Sequence, residues 1–459
     1  MNLAFLHGWN VRDTGTYGEL PRRLGAHFGA RVEHIYLGQY VSFHDAVTLD
    51  DLARALHFAL KEKFYNAGNG GWEPFALITH STGGPLARLW KFDHGPTGLT
   101  HLVMLAPPIH GSALAQLGRS RLSRLKFFCE GVEPGTGILD YLETGSAESL
   151  SLHDAHLRYG DPLRPWEFSL IGQAIDHRFY DHLNSYTGEA GSDGVVRVAS
   201  ANPNFARLKL MQDGPVLRPE GLGGLSGKAF GVLSWVSHSG RRMGILTGIP
   251  SAGSHPALDW IIQCLEVADD TGYDRVRAGL EDCTRATQEA GRRVERRRLA
   301  GVEIVETSRY AQVIFTVHDD RGRPVEDFDL LLTAGPDYSP DELPRGFCVD
   351  RQRNRRSPHT LTYYLDADRM AELEGAPYCG KIGIRVQARP DSGLAYYEAA
   401  EYRSEAGEAA RLLRPNQTLW VDITLRRRVD AQVLRFTERL PEGGRGEPIS
   451  AAPSGLLAA

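Results

Sequence analysis

Phe75–Gly84, FALITHSTGG, passes from an apolar run into small residues with a serine between them, and the reading of Ser81 decides the fold. FALIT has strand character, HSTGG is a turn, and GPLARLWKFD after it carries apolar residues at helical spacing. Strand, tight turn and helix in that order put the serine at the apex, clear of the surrounding backbone. Strand and helix pack closely across such a turn, so small residues are needed beside the serine. Gly83 and Gly84 supply them on the far side, whereas Thr79 stands on the near side where a glycine is usual.

Working outward, LAFLHG, RVEHIYL, THLVMLAP, EFSLIGQ and FGVLSWV read as further apolar strands. Between them, TLDDLARALHFALKEKF has a helical period, with Thr48 or Asp50 as N-cap, and PALDWIIQCLEV is a closing helix begun by Pro256. This alternation predicts an α/β unit with a mostly parallel sheet over residues 1–270. An insertion at about 110–166, between the fourth and fifth strands, is longer than a crossover requires. It reads either as a helical cap over the site or as a helical elaboration with no gating role. Residues 271–300 read as a charged helical linker, its GRRVERRRL end as a solvated helix in preference to a binding patch. Over 301–435 the period changes to two in AQVIFTVHDD, FDLLLTAG, HTLTYYLDA, KIGIRVQARP, LAYYEAAEYR and TLWVDITLRRRV, which predicts an antiparallel β-sandwich. The tail, 436–459, reads as disordered.

The 459 residues carry 52 basic and 57 acidic side chains mixed along the chain, a net charge of -5, so no basic footprint for nucleic acid stands out. The five cysteines show no CxxC spacing and read as reduced side chains rather than metal or redox pairs. MNLAFLHGWN enters an apolar strand at once, without the basic start of a signal peptide, and no run of about 18 apolar residues follows. Synthesis as a soluble cytoplasmic protein is expected, with export by a route that reads no N-terminal signal left open.

A serine on such a turn suits acyl transfer if donors, a base and an acid join it. Two backbone N–H groups must hold the oxyanion: one from Thr82, after the nucleophile and at the start of a helix, the other from the loop after the first strand, where Gly8 aims the amide of Trp9. Serine needs a histidine to take its proton and the histidine needs a carboxylate to fix its tautomer, in the chain order serine, acid, histidine. Asp193, before Gly194, is the candidate acid, although Asp-Gly is also a common turn pair. Two histidines follow. His238, directly after the sixth strand, is favoured as base; His255, next to Pro256, reads better as a helix-start residue. His80 is expected to point into the protein, its side chain leaving the turn on the side opposite Ser81, and His110 to support the loop lining the site. Metal-ligand spacing is absent, and the reading calls for no metal and no cofactor.

Together these segments resemble the lipase branch of the α/β-hydrolase superfamily. FLHGWN is similar to its H-G-x loop, THSTGG to its G-H-S-x-G elbow, APPIHGS to its P-x-x-G-S segment and SDGVV to the D-G-x-V segment around the acid. HSGRRMGIL followed by SHPALDW matches the layout after the acid. The resemblance covers roughly residues 1 to 270. It implies an ester hydrolase acting on lipid or phospholipid acyl chains, with Ser81, Asp193 and His238 as triad and the amides of Trp9 and Thr82 as oxyanion hole. Ser239-Gly240 stands where some bacterial lipases have a calcium-binding aspartate, so that ion is not carried over. By analogy with lipases that carry β domains, the C-terminal unit would bring the enzyme to a membrane surface or to a protein partner of unknown kind. The same fold also hosts acyltransferases, thioesterases and amidases, and a non-catalytic interaction protein or an exported phospholipase effector are the other readings.

Overall fold

The computed structural model describes residues 1–7, 14–39, 46–95, 97–117, 135–162, 164–175, 189–291, 294–298, 301–305, 308–374, 380–390 and 395–429. Trp9, residues 118–134 of the insertion and the 436–459 tail lie outside the described residues.

The chain lays down β1 (Asn2–His7), β2 (Arg31–Tyr36), β3 (Phe75–His80), β4 (Leu99–Leu105) and β5 (Trp166–Gly172), then a hairpin of β6 (Phe205–Asp213) and β7 (Val216–Leu225), then β8 (Ala229–Leu233). Six of these form one sheet in the order β8-β5-β4-β3-β1-β2, with every neighbour parallel. Its strands are continuous apolar runs because both faces are covered; β5 is buried along its whole length. The covering helices include α1 (Leu20–Phe28), α2 (Leu49–Phe64) and α3 (Gly83–His94). At α2 the expected cap is Thr48, whose side chain accepts from the Asp51 N–H while the Asp51 carboxylate accepts the Thr48 N–H. This is the α/β-hydrolase architecture, and it sets Ser81 at the carboxyl edge of the sheet, after β3.

The insertion is helical where described, with α4 (Thr136–Leu142) and α5 (Ala147–Tyr159). Both helices make contacts with the C-terminal half or with the β6–β7 hairpin. Leu150 of α5 packs with Ile314 and Trp420, Asp154 pairs with Arg207, and Asp140 of α4 pairs with Arg356. Two helices close the first half, α6 (Pro256–Leu265) and α7 (Asp270–Gly291). The segment expected as a helical linker is helical over Asp270–Gly291 and also packs: α7 buries Tyr273 and Leu280 in the core of the parallel sheet, with Val276 and Cys283 packed beside them. These four sit at helical spacing on one side of an otherwise charged helix, so a single apolar stripe outweighs the overall polarity.

The second unit comprises β9 (Tyr310–Asp319), β10 (Phe328–Ala334), β11 (Cys348–Arg353), β12 (Thr360–Asp366), β13 (Ile382–Ala388), β14 (Ala400–Arg403) and β15 (Thr418–Leu425). They join the β6–β7 hairpin in a nine-stranded sheet ordered β10-β13-β14-β7-β6-β15-β9-β12-β11. Alternate residues, Val313, Phe315 and Val317 on β9 and Leu419, Val421 and Ile423 on β15, enter one apolar core with Leu332 and Ile384 from the other end of the sheet. The β unit is present as expected; its sheet is mixed, a half-barrel, where a purely antiparallel sandwich was expected. Two features make it mixed: β9 and β15 of the unit itself pair in parallel, and the hairpin from the first half enters with β6 parallel to β15 and β7 parallel to β14. Hydrogen bonding therefore crosses the sequence boundary at 270.

Candidate active site

Ser81 has φ 52°, a left-handed conformation that a residue with a Cβ adopts only under constraint. The constraint is visible on both sides: the Ser81 N–H donates to Leu105 O (2.9 Å), and the Gly84 N–H donates to Ser81 O (3.0 Å). A Cβ on Gly83 would lie 3.3 Å from Thr79 Cβ, and one on Gly84 would lie 2.4 Å from Pro107 Cβ. The bulk that Thr79 adds on the near side is thus accommodated by the missing side chain of Gly83. Gly84→Ala is expected to push α3 off the Pro107 turn, costing about 1–3 kcal/mol; a lower Tm together with a lower kcat would register it. Ser81 Oγ is buried and has no hydrogen-bond partner among the described residues.

Asp193 and His238 meet. The Asp193 carboxylate accepts from the His238 Nδ1–H through Oδ2 at 2.9 Å. Its other oxygen, Oδ1, accepts from the N–H groups of Val195 (3.0 Å) and Val196 (2.8 Å). The backbones are tied as well, His238 N–H to Asp193 O at 3.0 Å. Both side chains are essentially excluded from solvent, at 0% and 1% exposure. With Nδ1 committed to the carboxylate, the imidazole carries its proton there and offers the lone pair of Nε2, which has no partner among the described residues. The loop after β8 that carries His238 is pinned by Ala174 N–H to Val236 O (3.0 Å) and Ser237 N–H to Met243 O (2.9 Å).

The remaining sequence-flagged residues divide clearly. His255 is the N-cap of α6, its Nδ1 accepting from the Ala257 N–H at 3.2 Å. His110 is buried and bonded through Nε2 to Asn202 O (2.9 Å); burial, then the Arg88 charge, lowers its imidazole to about 3, so it stays neutral. His80 points inward, and its ring lies against that of His238, centroids 4.7 Å apart. Burial first and the neighbouring His238 second hold the His80 imidazole well below the ordinary histidine range. A neutral ring beside the base follows, in a position no spacing in the sequence could reveal. Thr82, directly after Ser81, is the N-cap of α3; of the first-turn positions that follow, Gly84 gives its N–H to Ser81 O and Pro85 has none. Trp9 lies outside the described residues. Among the described residues no group of three or more His, Cys, Asp or Glu side chains stands close enough to hold a metal ion.

No protein-family model matches the chain, and no curated protein matches it. Among solved structures, the chain is similar to phospholipase PlaB from Legionella pneumophila at 42% identity, covering 98% of each chain, with a TM-score of 0.88. The same phospholipase in complex with thio-NAD aligns at 40% identity over 98% of this chain and 99% of that one, with a TM-score of 0.86.

Proposed function

The chain belongs to the PlaB-like phospholipase family of the α/β-hydrolases, and from that premise we propose that it cleaves acyl esters of phospholipids through a covalent acyl-serine on Ser81. It is an ester hydrolase of the lipase and phospholipase type, and its substrate is a lipid. The observation that carries the residue roles is the Asp193–His238 bond of 2.9 Å, which leaves Nε2, like the Ser81 hydroxyl after β3, without a partner among the described residues.

In this reading Ser81 Oγ attacks the ester carbonyl carbon while its proton passes to His238 Nε2, and Asp193 stabilises the resulting imidazolium. The backbone amides of Thr82 and Trp9 hold the oxyanion as the tetrahedral species forms. Collapse breaks the ester C–O bond, and the departing alcohol oxygen takes the proton from Nε2. Water then attacks the acyl-serine, giving its proton to the same nitrogen, and the fatty acid leaves as Oγ is reprotonated. The test is a lipid analysis of phospholipid vesicles treated with the purified protein, paired with fluorophosphonate labelling located by mass spectrometry. Release of fatty acid and lysophospholipid, with label on Ser81, is expected. Label on another residue, or acyl transfer to an acceptor other than water, sinks the reading.

Peripheral membrane contact belongs to the same proposal, and its surface is the loop that carries the base. Trp235, two residues past β8, is 81% exposed and held at φ 59°. An indole in water and in the left-handed region is unfavourable twice over, by exposed apolar area and by backbone strain. Burial in the headgroup region of a bilayer removes the first cost, since amphipathic rings favour that depth. Arg241 and Arg242 are exposed on the same segment between β8 and α6, and each contributes about 1 kcal/mol of attraction to an anionic surface. Replacing both arginines with glutamine is expected to weaken binding to phosphatidylglycerol vesicles about 10-fold or more, with hydrolysis of a soluble short-chain ester unchanged. Equal vesicle binding by the variant and the parent would move the contact elsewhere.

A further inference from the structure

The turn that carries Asp193 has little regular structure of its own. Residues 189–197 lie between a segment outside the described residues and a single helical turn at Val198–Ala201, with only an isolated bridge between Ser192 and Arg197. The turn is closed by Asp193 N–H to Val196 O (3.1 Å) and Val198 N–H to Gly191 O (2.9 Å), it packs Val195 and Val196 into the core of the parallel sheet, and its outer side rests on the C-terminal β unit. Tyr364 of β12, fully buried, donates its hydroxyl proton to Gly191 O (3.1 Å) and lies 3.3 Å from Ala190 O. Burial foremost keeps that phenol well above its ordinary range, so it remains a donor. Gly191 has φ 74°, and a Cβ there would lie 2.2 Å from the Tyr310 ring and 2.5 Å from the Tyr364 hydroxyl, so turn and β unit touch backbone to ring.

Arg197, at the other end of the turn, closes the contact. Its Nε and Nη2 grip the two carboxylate oxygens of Glu189 at 2.8 Å each, and Nη2 also donates to Asp350 of β11. The face of the guanidinium lies 4.1 Å from the centre of the Tyr364 ring. Asp350 and Tyr364 are opposite one another in the β11–β12 register, so two paired strands present a carboxylate and a ring to one cation. Downstream, Thr418 Oγ1 donates to Ala199 O (3.1 Å) and Asn202 Nδ2 donates to Asn416 O (2.8 Å).

We propose that the C-terminal β unit is a working part of the active centre: Tyr364 and Asp350, the latter through Arg197 and Glu189, are positioning residues that hold the turn on which Asp193 meets His238. This rests on the reading of Ser81, His238 and Asp193 as the reacting groups. Supporting partners of this kind matter because a displacement of about 1 Å at a reacting group costs on the order of 10²-fold in rate. Neither residue touches the substrate, so the loss should appear in kcat and leave KM for a soluble short-chain ester nearly unchanged.

The test uses the full chain with Tyr364→Phe, which removes one hydroxyl and keeps the ring, and Asp350→Asn. Reactive sites are counted by end-point labelling with a fluorophosphonate, and kcat is expressed per reactive serine. A fall of about 10- to 100-fold per site, matched by slower fluorophosphonate reaction, is expected for both. A role in folding alone would reduce the number of reactive sites and the Tm while each remaining site turned over at the parental rate; that result overturns the proposal. If Asp350→Asn does not fold, Tyr364→Phe decides by itself. Activity surviving in Ser81→Ala would instead remove the triad reading, and the two failures are told apart by that control.

Discussion

Ser81→Ala is expected to leave a folded protein whose ester hydrolysis is slower by a factor on the order of 10⁶ in kcat, the loss that follows removal of an activated serine. The structure gives a reason to expect intact folding. Ser81 Oγ makes no hydrogen bond among the described residues, so its deletion strands no partner, and the alanine inherits the same left-handed backbone held by Leu105 and Gly84. A thermal melt coincident with that of the parent, beside a flat progress curve on a p-nitrophenyl ester and on phospholipid vesicles, is the predicted pair of observations. Turnover near the parental rate would show that another group attacks the carbonyl, and every role assigned to His238 and Asp193 would then lose its object.

The frame around Ser81 was legible because three local signals agree: an apolar run, a glycine-rich turn and a helical period, each of which acts over a few residues. The parallel sheet followed for the same reason, its strands being continuous apolar runs. What the sequence hid lies in contacts between distant segments. The bond between Asp193 and His238 spans 45 residues and was readable only as an order of residue types. Ring contact between His80 and His238 depends on how β3 and the loop after β8 converge, which no spacing encodes. The β6–β7 hairpin is a different kind of miss. Asp213-Gly214, with Leu208, Leu210 and Gln212 alternating before it and Gly214 at φ 60°, is a hairpin signal, but it sits between strands of the parallel sheet, whose apolar runs dominate the local pattern. Arg197 was invisible for a physical reason: an arginine beside a turn is ordinarily solvated, and only the ring and carboxylate brought by β11 and β12 turn it into a buried tie. His255 shows the reverse case. Its neighbour Pro256 marks a helix start, so the local signal already favoured capping over chemistry.

The second large effect concerns Asp193→Asn, and here the hydrogen bonds settle which way the amide must turn. Oδ1 of Asp193 accepts two backbone N–H groups, from Val195 and Val196. An asparagine has one oxygen, and setting its NH₂ against two amide donors would lose both bonds, so the oxygen occupies the Oδ1 position. Its NH₂ then faces His238 Nδ1, where the carboxylate oxygen stood at 2.9 Å. A donor at that place demands a lone pair on Nδ1, which moves the imidazole proton to Nε2, the nitrogen that has to take the proton of Ser81. The fold is preserved and the base is in the wrong tautomer. A drop of about 10⁴-fold in kcat is expected, as for other triads treated in this way, with a Tm close to that of the parent because both backbone bonds survive. Steady-state kinetics on a soluble ester, together with the melt, checks both halves. If Asp193→Asn turned over at a rate near the parent, the carboxylate would not be fixing the tautomer, and the orientation of His238 would have to come from its backbone tie to residue 193 alone.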